Sequence, residues 1–249
     1  LRYSDDSIYI LMMNRAIFTI FVTVVGFLMF LASCDDGPVY GSAELKPENG
    51  LVLKLTGELS GTGRWNAGGY SLVVAGFDDS DYAVITKSVP QSVDGAAVTV
   101  VMSGIGESVT SLELCVINRL RRRVVTFASV STISGDDTVR LPVGRMDVSV
   151  YSALQAGVFD ASCVQCHGGS NHAAAGLYLT GDRSRESLVD IPSTVVGDAV
   201  RVLPGNADES ILYGVVSTDM TRGWSFDHSA LLDVTSVEFI KNWINNGAE

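Results

Sequence analysis

The chain is poor in cysteine and in basic residues, and each shortage excludes a class of protein. Four cysteines among 249 residues are too few for a framework of disulfides across the chain. Seventeen Lys and Arg against 28 Asp and Glu give a formal net charge of −11, which argues against nucleic acid as a partner. The sequence also lacks internal repeats and low-complexity tracts. We therefore expect ordinary globular domains and no nucleic-acid partner.

An apolar run near the N-terminus covers residues 17–32, follows Arg15 and ends just before the small Ser33. A basic residue, an apolar stretch and a small-residue site describe a secretory signal peptide, and the run is short for a transmembrane anchor. Its last residues, Leu-Ala-Ser-Cys34, look like the lipobox of bacterial lipoproteins, in which the cysteine becomes the lipidated first mature residue. We predict that residues 1–33 contain a lipoprotein signal peptide whose true start is Met12 or Met13, so that residues 1–11 precede it. We also predict that Cys34 is lipidated and that the protein is lipid-anchored in the cell envelope.

Residues 50–145 have the pattern of a β domain, and the polar residues 34–49 before them are predicted to be a tether. Seven short segments alternate apolar and polar residues or are rich in β-branched residues, and turn-forming residues separate them. Such a series is typical of a β-sandwich or barrel. The segments are 51–56, 70–77, 82–86, 97–102, 112–117, 124–130 and, more weakly, 138–142.

The pattern changes from β to helical after Pro142. Apolar residues recur at helical spacing from Val150 to Val158, and polar residues able to cap a helix precede three further apolar stretches. These capping candidates are Asp182, Asn206 and Thr235. We predict a small all-α domain over residues 146–249. The expected fold class is two-domain, with an N-terminal all-β, sandwich-like domain followed by this small all-α domain.

The segment Cys163-Val-Gln-Cys166-His167 is the pattern by which c-type haem is attached. Two thiols three residues apart can reach the two vinyl groups on one edge of the porphyrin and form thioethers. The imidazole that follows can then bind the iron. Export supports this interpretation, because covalent attachment takes place outside the cytoplasm. We predict one covalent haem c, held by Cys163 and Cys166, with His167 as an axial ligand.

Other chemistries of a paired-cysteine motif fit the sequence less well. A thioredoxin-like dithiol needs a strand-to-helix setting, whereas a predicted helix precedes Cys163. A zinc site needs four ligands, and only His172 and His228 could join the pair. Cys115 lies within an apolar alternation and is expected to be a small buried residue.

The other face of the iron has three candidate ligands, because Met and His are the usual axial partners. Met220 is favoured, since it lies in the polar loop 217–223 rather than at an apolar helical position where a methionine would fill the core. His172 and His228 remain alternatives. Haem propionates accept hydrogen bonds from Arg and Trp, and the candidates for this contact are Arg201, Arg222 and Trp224.

Five short motifs follow one another in the second half of the chain. They are Cys163 to Gly168, Gly176-Leu-Tyr-Leu179, Pro204 to Leu212, Met220-Thr-Arg-Gly223 and Trp243 to Ala248. In these motifs, residues about 150–249 resemble the small monohaem c-type cytochrome domains described as planctomycete-type. The resemblance implies a small all-α cytochrome c domain with Met220 as the second iron ligand. Thr221 departs from the family, which has proline there.

Two protein ligands would leave the iron without an open position, so the sequence predicts an electron carrier rather than an enzyme. The expected protein is a membrane-anchored monohaem c-type cytochrome. It would pass single electrons to redox partner proteins in the cell envelope and would contact the lipid membrane through Cys34. Two rival functions stay open. One is a haem enzyme or a gas or redox sensor with open iron coordination, and the other is a binding or adhesion lipoprotein whose β domain carries a cytochrome appendage.

Overall fold

Strands come first along the chain and short helices follow them. The computed structural model describes residues 50–65, 68–131, 138–169, 171, 173–217 and 226–249, together with Met13, Arg15 and Ile17, which are helical. The chain divides into two compact units, Leu1–Pro47 and Glu48–Glu249. The strands and helical segments given below all belong to the second unit.

The described strands form two sheets. They are β1 (Leu51–Ser60), β2 (Tyr70–Phe77), β3 (Ala83–Ser88), β4 (Ala96–Ile105), β5 (Ser111–Asn118), β6 (Arg123–Ser131) and β7 (Thr138–Asp147). One sheet has the order β4-β1-β7 and the other β3-β2-β5-β6. Strand β1 is antiparallel to β4 and parallel to β7, so the first and last strands lie side by side. Each of the seven segments predicted from the alternating pattern lies within or overlaps one of these strands.

The inner faces of the two sheets share one hydrophobic core, because successive side chains of a strand point to opposite faces. Leu53 and Leu55 of β1 are fully buried and belong to the same cluster as Leu112 and Leu114 of β5. The two sheets therefore form a β-sandwich. A smaller apolar cluster lies on the other face of β2 and β5 and includes Cys115, which is fully buried. The prediction that Cys115 is a small buried residue is confirmed.

Short helical segments fill the rest of the second unit. They are a 3-10 turn at Thr62–Arg64, α1 (Val150–Leu154), a π-helical segment at Gln155–Cys163, α2 (Val164–His167), a 3-10 turn at Ala174–Gly176, α3 (Ser184–Leu188), α4 (Ile211–Ser217) and α5 (Val234–Asn245). Helix α1 begins after Ser149, whose side chain accepts a hydrogen bond from the Ser152 N–H. Except for α5, these segments have nine residues or fewer, too few to bury a core among themselves.

The longest helix, α5, begins one residue earlier than its predicted cap. Asp233 is the actual N-cap, and its side chain accepts a hydrogen bond of 2.8 Å from the Ser236 N–H. Thr235, the predicted cap, lies inside the helix. Gly247 follows the last turn with φ of 99°, a conformation that favours glycine and ends the helix.

The predicted two-domain fold class is wrong, because the helices pack on the β-sandwich and form no separate all-α cytochrome c domain. Phe239 of α5 stacks on Trp65 at 6.5 Å between ring centroids and meets the edge of Tyr70 of β2 at 5.0 Å. Gly157 approaches β6 so closely that a Cβ there would lie 2.5 Å from a methyl group of Val125. One core cluster consequently runs from the sheets into the helices.

Polar contacts also join the sandwich to the last helix. Arg122, in the turn between β5 and β6, donates from Nη1 to the Thr235 hydroxyl at 2.6 Å. Its Nη2 forms an ion pair with Asp233 at 3.3 Å. These contacts hold the beginning of α5 against the turn between β5 and β6.

Candidate functional site

The paired cysteines lie where the π-helical segment passes into α2. Cys163 is the last residue of the π-helical segment, while Cys166 and His167 are the last two residues of α2. The π-helical hydrogen-bonding pattern is rare in proteins and is frequently found at functional sites. Cys163 is half-buried and Cys166 is exposed, and both are free thiols. One thiol of the pair is thus accessible from solvent.

The chemistry of Cys163 differs from that of a redox-active dithiol. Its Sγ donates to the Val158 carbonyl at 3.7 Å, and burial raises the pKa of the thiol to about 11. Cysteines of thiol–disulfide oxidoreductases have a lowered pKa, since the thiolate is the nucleophile. The geometry therefore gives no support to the thioredoxin-like alternative.

His167 is held in one tautomer by the backbone. Its Nδ1 lies 3.1 Å from the Ala174 carbonyl oxygen and 3.2 Å from that of Leu177. Because a carbonyl oxygen only accepts, Nδ1 carries the proton and the Nε2 lone pair is left for a metal. Burial lowers the pKa of His167, and the nearby His228 and Arg201 add to this lowering, which outweighs the opposite effect of the two carbonyl hydrogen bonds. The lowered pKa favours the neutral imidazole, which is the form that binds metals.

A buried polar network positions the segment that follows His167. The Leu179 N–H donates to the His167 carbonyl at 2.8 Å, and the Gln155 side chain donates to the Leu179 carbonyl at 2.9 Å. Gln155 also donates to Asp160 at 2.6 Å and accepts a hydrogen bond of 2.6 Å from the Ser184 hydroxyl. These bonds tie the helix before the motif, the motif itself and α3 together. Sequence reasoning did not single out Gln155 or Ser184.

Arg201 supports the carbonyl groups around His167. Its guanidinium donates to the carbonyl oxygens of Ser187 at 2.8 Å, Ala175 at 3.1 Å and Gly176 at 3.4 Å. Its side chain is buried, with 8% of the residue exposed. The predicted role of Arg201 was a contact with a haem propionate, and here its Nη2 donates to the turn that presents the Ala174 and Leu177 carbonyls to His167, while its Nη1 donates to Ser187 of α3. The other propionate candidates, Arg222 and Trp224, lie outside the described residues.

We expect Arg201→Met to destabilise this turn, because it removes three charge-assisted hydrogen bonds to backbone carbonyls. The free energy of unfolding should fall by about 2–3 kcal/mol, measured by denaturant titration. Arg185→Met is the matched control, since Arg185 is exposed and donates one hydrogen bond, to the Ala248 carbonyl. That variant should stay within about 0.5 kcal/mol of the unmodified protein. Equal stability of the two variants would contradict the assignment.

His228 lies opposite His167. Their ring centroids are 6.4 Å apart, with 32° between the ring planes. The Nδ1 of His228 lies 3.0 Å from the Phe226 carbonyl oxygen, so this ring also carries its proton on Nδ1 and leaves Nε2 free. The other predicted iron ligands, Met220 and His172, lie outside the described residues, as does the predicted lipidation site Cys34. The structure thus brings together the predicted proximal ligand and the histidine that the sequence favoured less than Met220.

Two further observations concern a zinc site and a membrane-spanning helix. Among the described residues, no three His, Cys, Asp or Glu side chains converge as a metal-binding group, so the zinc-site alternative gains no support. The described part of the chain also contains no helix with the length and apolar character needed to cross a membrane.

The chain was compared with protein-family models, with curated proteins and with solved structures. None of the three comparisons gives a match. Inference about its function therefore rests on the residues and geometry described above.

Proposed function

We propose that this protein is a membrane-anchored electron carrier that holds one haem c through Cys163 and Cys166, with His167 as an axial ligand. The proposal rests on the hydrogen bonds and the tautomer of His167, which directly follows the cysteine pair. Its Nδ1 is engaged by two backbone carbonyls, and its Nε2 is left unprotonated. Metal-binding histidines commonly donate their second ring N–H to a backbone carbonyl in this way.

The donor set fits a covalently attached haem in three respects. The two thiols are free and three residues apart, as thioether formation with both vinyl groups requires. The histidine on the same short helix is neutral and oriented. Phe226, in contact with the His228 ring at 5.1 Å between centroids, leaves 53% of its surface exposed. An exposed aromatic ring beside His228 is suited to contact with a flat apolar ligand.

The residues of the chain would hold the cofactor and exclude other chemistry. The haem would supply a one-electron couple between Fe(II) and Fe(III). Cys163 and Cys166 would prevent its loss, and His167 would fix one axial position while the Arg201 and Gln155 contacts keep the imidazole in place. A second protein ligand would occupy the remaining axial position. Substrate would then have no access to the metal, which favours electron transfer over catalysis.

Visible absorption spectra of the purified protein, recorded oxidised and reduced and with and without carbon monoxide, test this proposal. We expect a low-spin, six-coordinate haem c in both redox states, and slow or negligible carbon monoxide binding. A high-spin iron that binds carbon monoxide at once would favour the haem enzyme or sensor instead. A protein without haem would contradict the proposal as a whole.

Membrane attachment has its own test at Cys34. We expect Cys34→Ala to abolish partition with the membrane fraction, because the lipidated residue is lost while the fold of residues 50–249 is untouched. Partition is measured by detergent phase separation and by fractionation of cells. Cys115→Ala, at a buried cysteine in the sandwich, is the control and should leave partition unchanged. A Cys34→Ala protein that still sediments with membranes would indicate an anchor other than lipid.

A further inference from the structure

The two described histidines of the site form a matched pair. Each ring has Nδ1 at hydrogen-bond distance from a backbone carbonyl oxygen, at 3.1 and 3.2 Å for His167 and 3.0 Å for His228. In each ring Nε2 is therefore the nitrogen that is left to bind a metal. Two imidazoles with Nε2 available in this way can supply two of the ligands that an iron atom takes from a protein.

The distance between the rings suits one metal ion between them. Metal–imidazole nitrogen bonds are about 2 Å long, so two imidazoles that bind one ion from opposite sides have ring centres about 6 Å apart. The observed separation is 6.4 Å.

Hydrogen bonds hold the residues on both sides of His228. The Asp227 carboxylate accepts hydrogen bonds from the Ser229 N–H at 2.9 Å and from the Ser229 hydroxyl at 2.6 Å. The Leu231 N–H donates to the His228 carbonyl at 3.1 Å. Asp233, which caps α5, is paired with Arg122 of the hairpin. These contacts restrict the position of the segment that carries His228.

From this pairing we propose that His228, and not Met220, is the second axial ligand of the haem. The inference rests on the proposed function, because it requires a haem at Cys163 and Cys166. It departs from the resemblance to the planctomycete-type domains, in which a methionine has this role.

The oxidised protein itself provides the first test. With His228 as ligand, the near-infrared charge-transfer band of Met–Fe(III) ligation should be absent, and electron paramagnetic resonance should show the low-spin signal of two imidazoles. His228→Met should introduce the near-infrared band and raise the reduction potential, since a thioether favours Fe(II) more than imidazole does. His228→Ala should open the axial position, so that the reduced protein binds carbon monoxide at once.

Met220→Ala separates the two ligand assignments. We expect its spectra, potential and carbon monoxide binding to equal those of the unmodified protein. A near-infrared band in the unmodified protein that disappears in Met220→Ala would overturn the assignment to His228 and leave the proposed function intact. A high-spin iron in the unmodified protein would overturn both. A chain that contains no covalent haem would contradict the proposed function, and this outcome is visible before either ligand variant is made.

Discussion

We expect that changing Cys163 and Cys166 together to alanine will leave no haem bound after denaturation of the protein, because both of the proposed thioether bonds would be lost. This is the largest effect expected of any substitution in the chain. Each single change leaves one anchor and should lower the yield of holoprotein without abolishing it. Haem staining of the denatured protein after electrophoresis measures the covalently bound fraction.

Cys115 provides the control for this experiment. It is fully buried between β-sheet side chains, far from the motif in sequence, and burial strongly raises the pKa of its thiol. Cys115→Ala should therefore retain the full amount of covalent haem. A double Cys163 and Cys166 variant that still stains for haem would mean that the attachment residues have been wrongly identified.

His167→Ala is expected to have the second largest effect. The axial position of the iron would lose its ligand, and the low-spin spectrum should be replaced by a high-spin or mixed one even where the thioethers form. The carbonyls of Ala174 and Leu177 would also lose a donor. Visible absorption in both redox states measures the change.

Added imidazole distinguishes loss of a ligand from loss of the fold. The cavity left by His167→Ala should accept free imidazole, and the low-spin spectrum should then return. His172→Ala is a suitable control and should show the unmodified spectrum without imidazole. If His167→Ala were low-spin without any addition, another side chain would have to be the axial ligand.

The strands were predictable because their pattern is local. Alternation of apolar and polar residues marks a half-buried strand directly, and the segments at 70–77 and 112–117 correspond to β2 and β5 within one residue at either end. Strand order was not predictable, since the pairing of β1 with β7 joins residues about 90 positions apart in the chain. Nothing in the local pattern of β1 specifies which strand lies beside it.

The error in the fold class has a different origin. An apolar stripe such as that of α5 shows which face of a helix is buried, but not what covers that face. The predicted all-α domain requires that the helices cover one another. In the structure Phe239 packs against Trp65 and Tyr70 of the β region instead. Segments as short as α2 and α3 need such a surface, because short helices have little stability of their own.

Of the candidate site, the sequence identified only the motif at Cys163–His167, and the covalent haem attachment that this motif predicts stays a prediction. The spacing of Cys163, Cys166 and His167 is a sequence motif, and the chemistry it requires follows from the residue types. The contacts that orient His167 come from backbone carbonyls and from Arg201, which no spacing rule identifies. The proximity of His228 likewise depends on the loop before α5, and the two histidines are 61 positions apart in the sequence.

The central claim is that one haem is bound covalently through Cys163 and Cys166. Extraction of the denatured, purified protein with acidic organic solvent, followed by the pyridine spectrum of both phases and the intact mass of the polypeptide, tests it most directly. We expect the haem to stay with the polypeptide, the mass to exceed that of the chain by one haem, and the spectrum to be that of a porphyrin with both vinyl groups saturated. Haem recovered in the organic phase, or a polypeptide of unmodified mass, would contradict the claim.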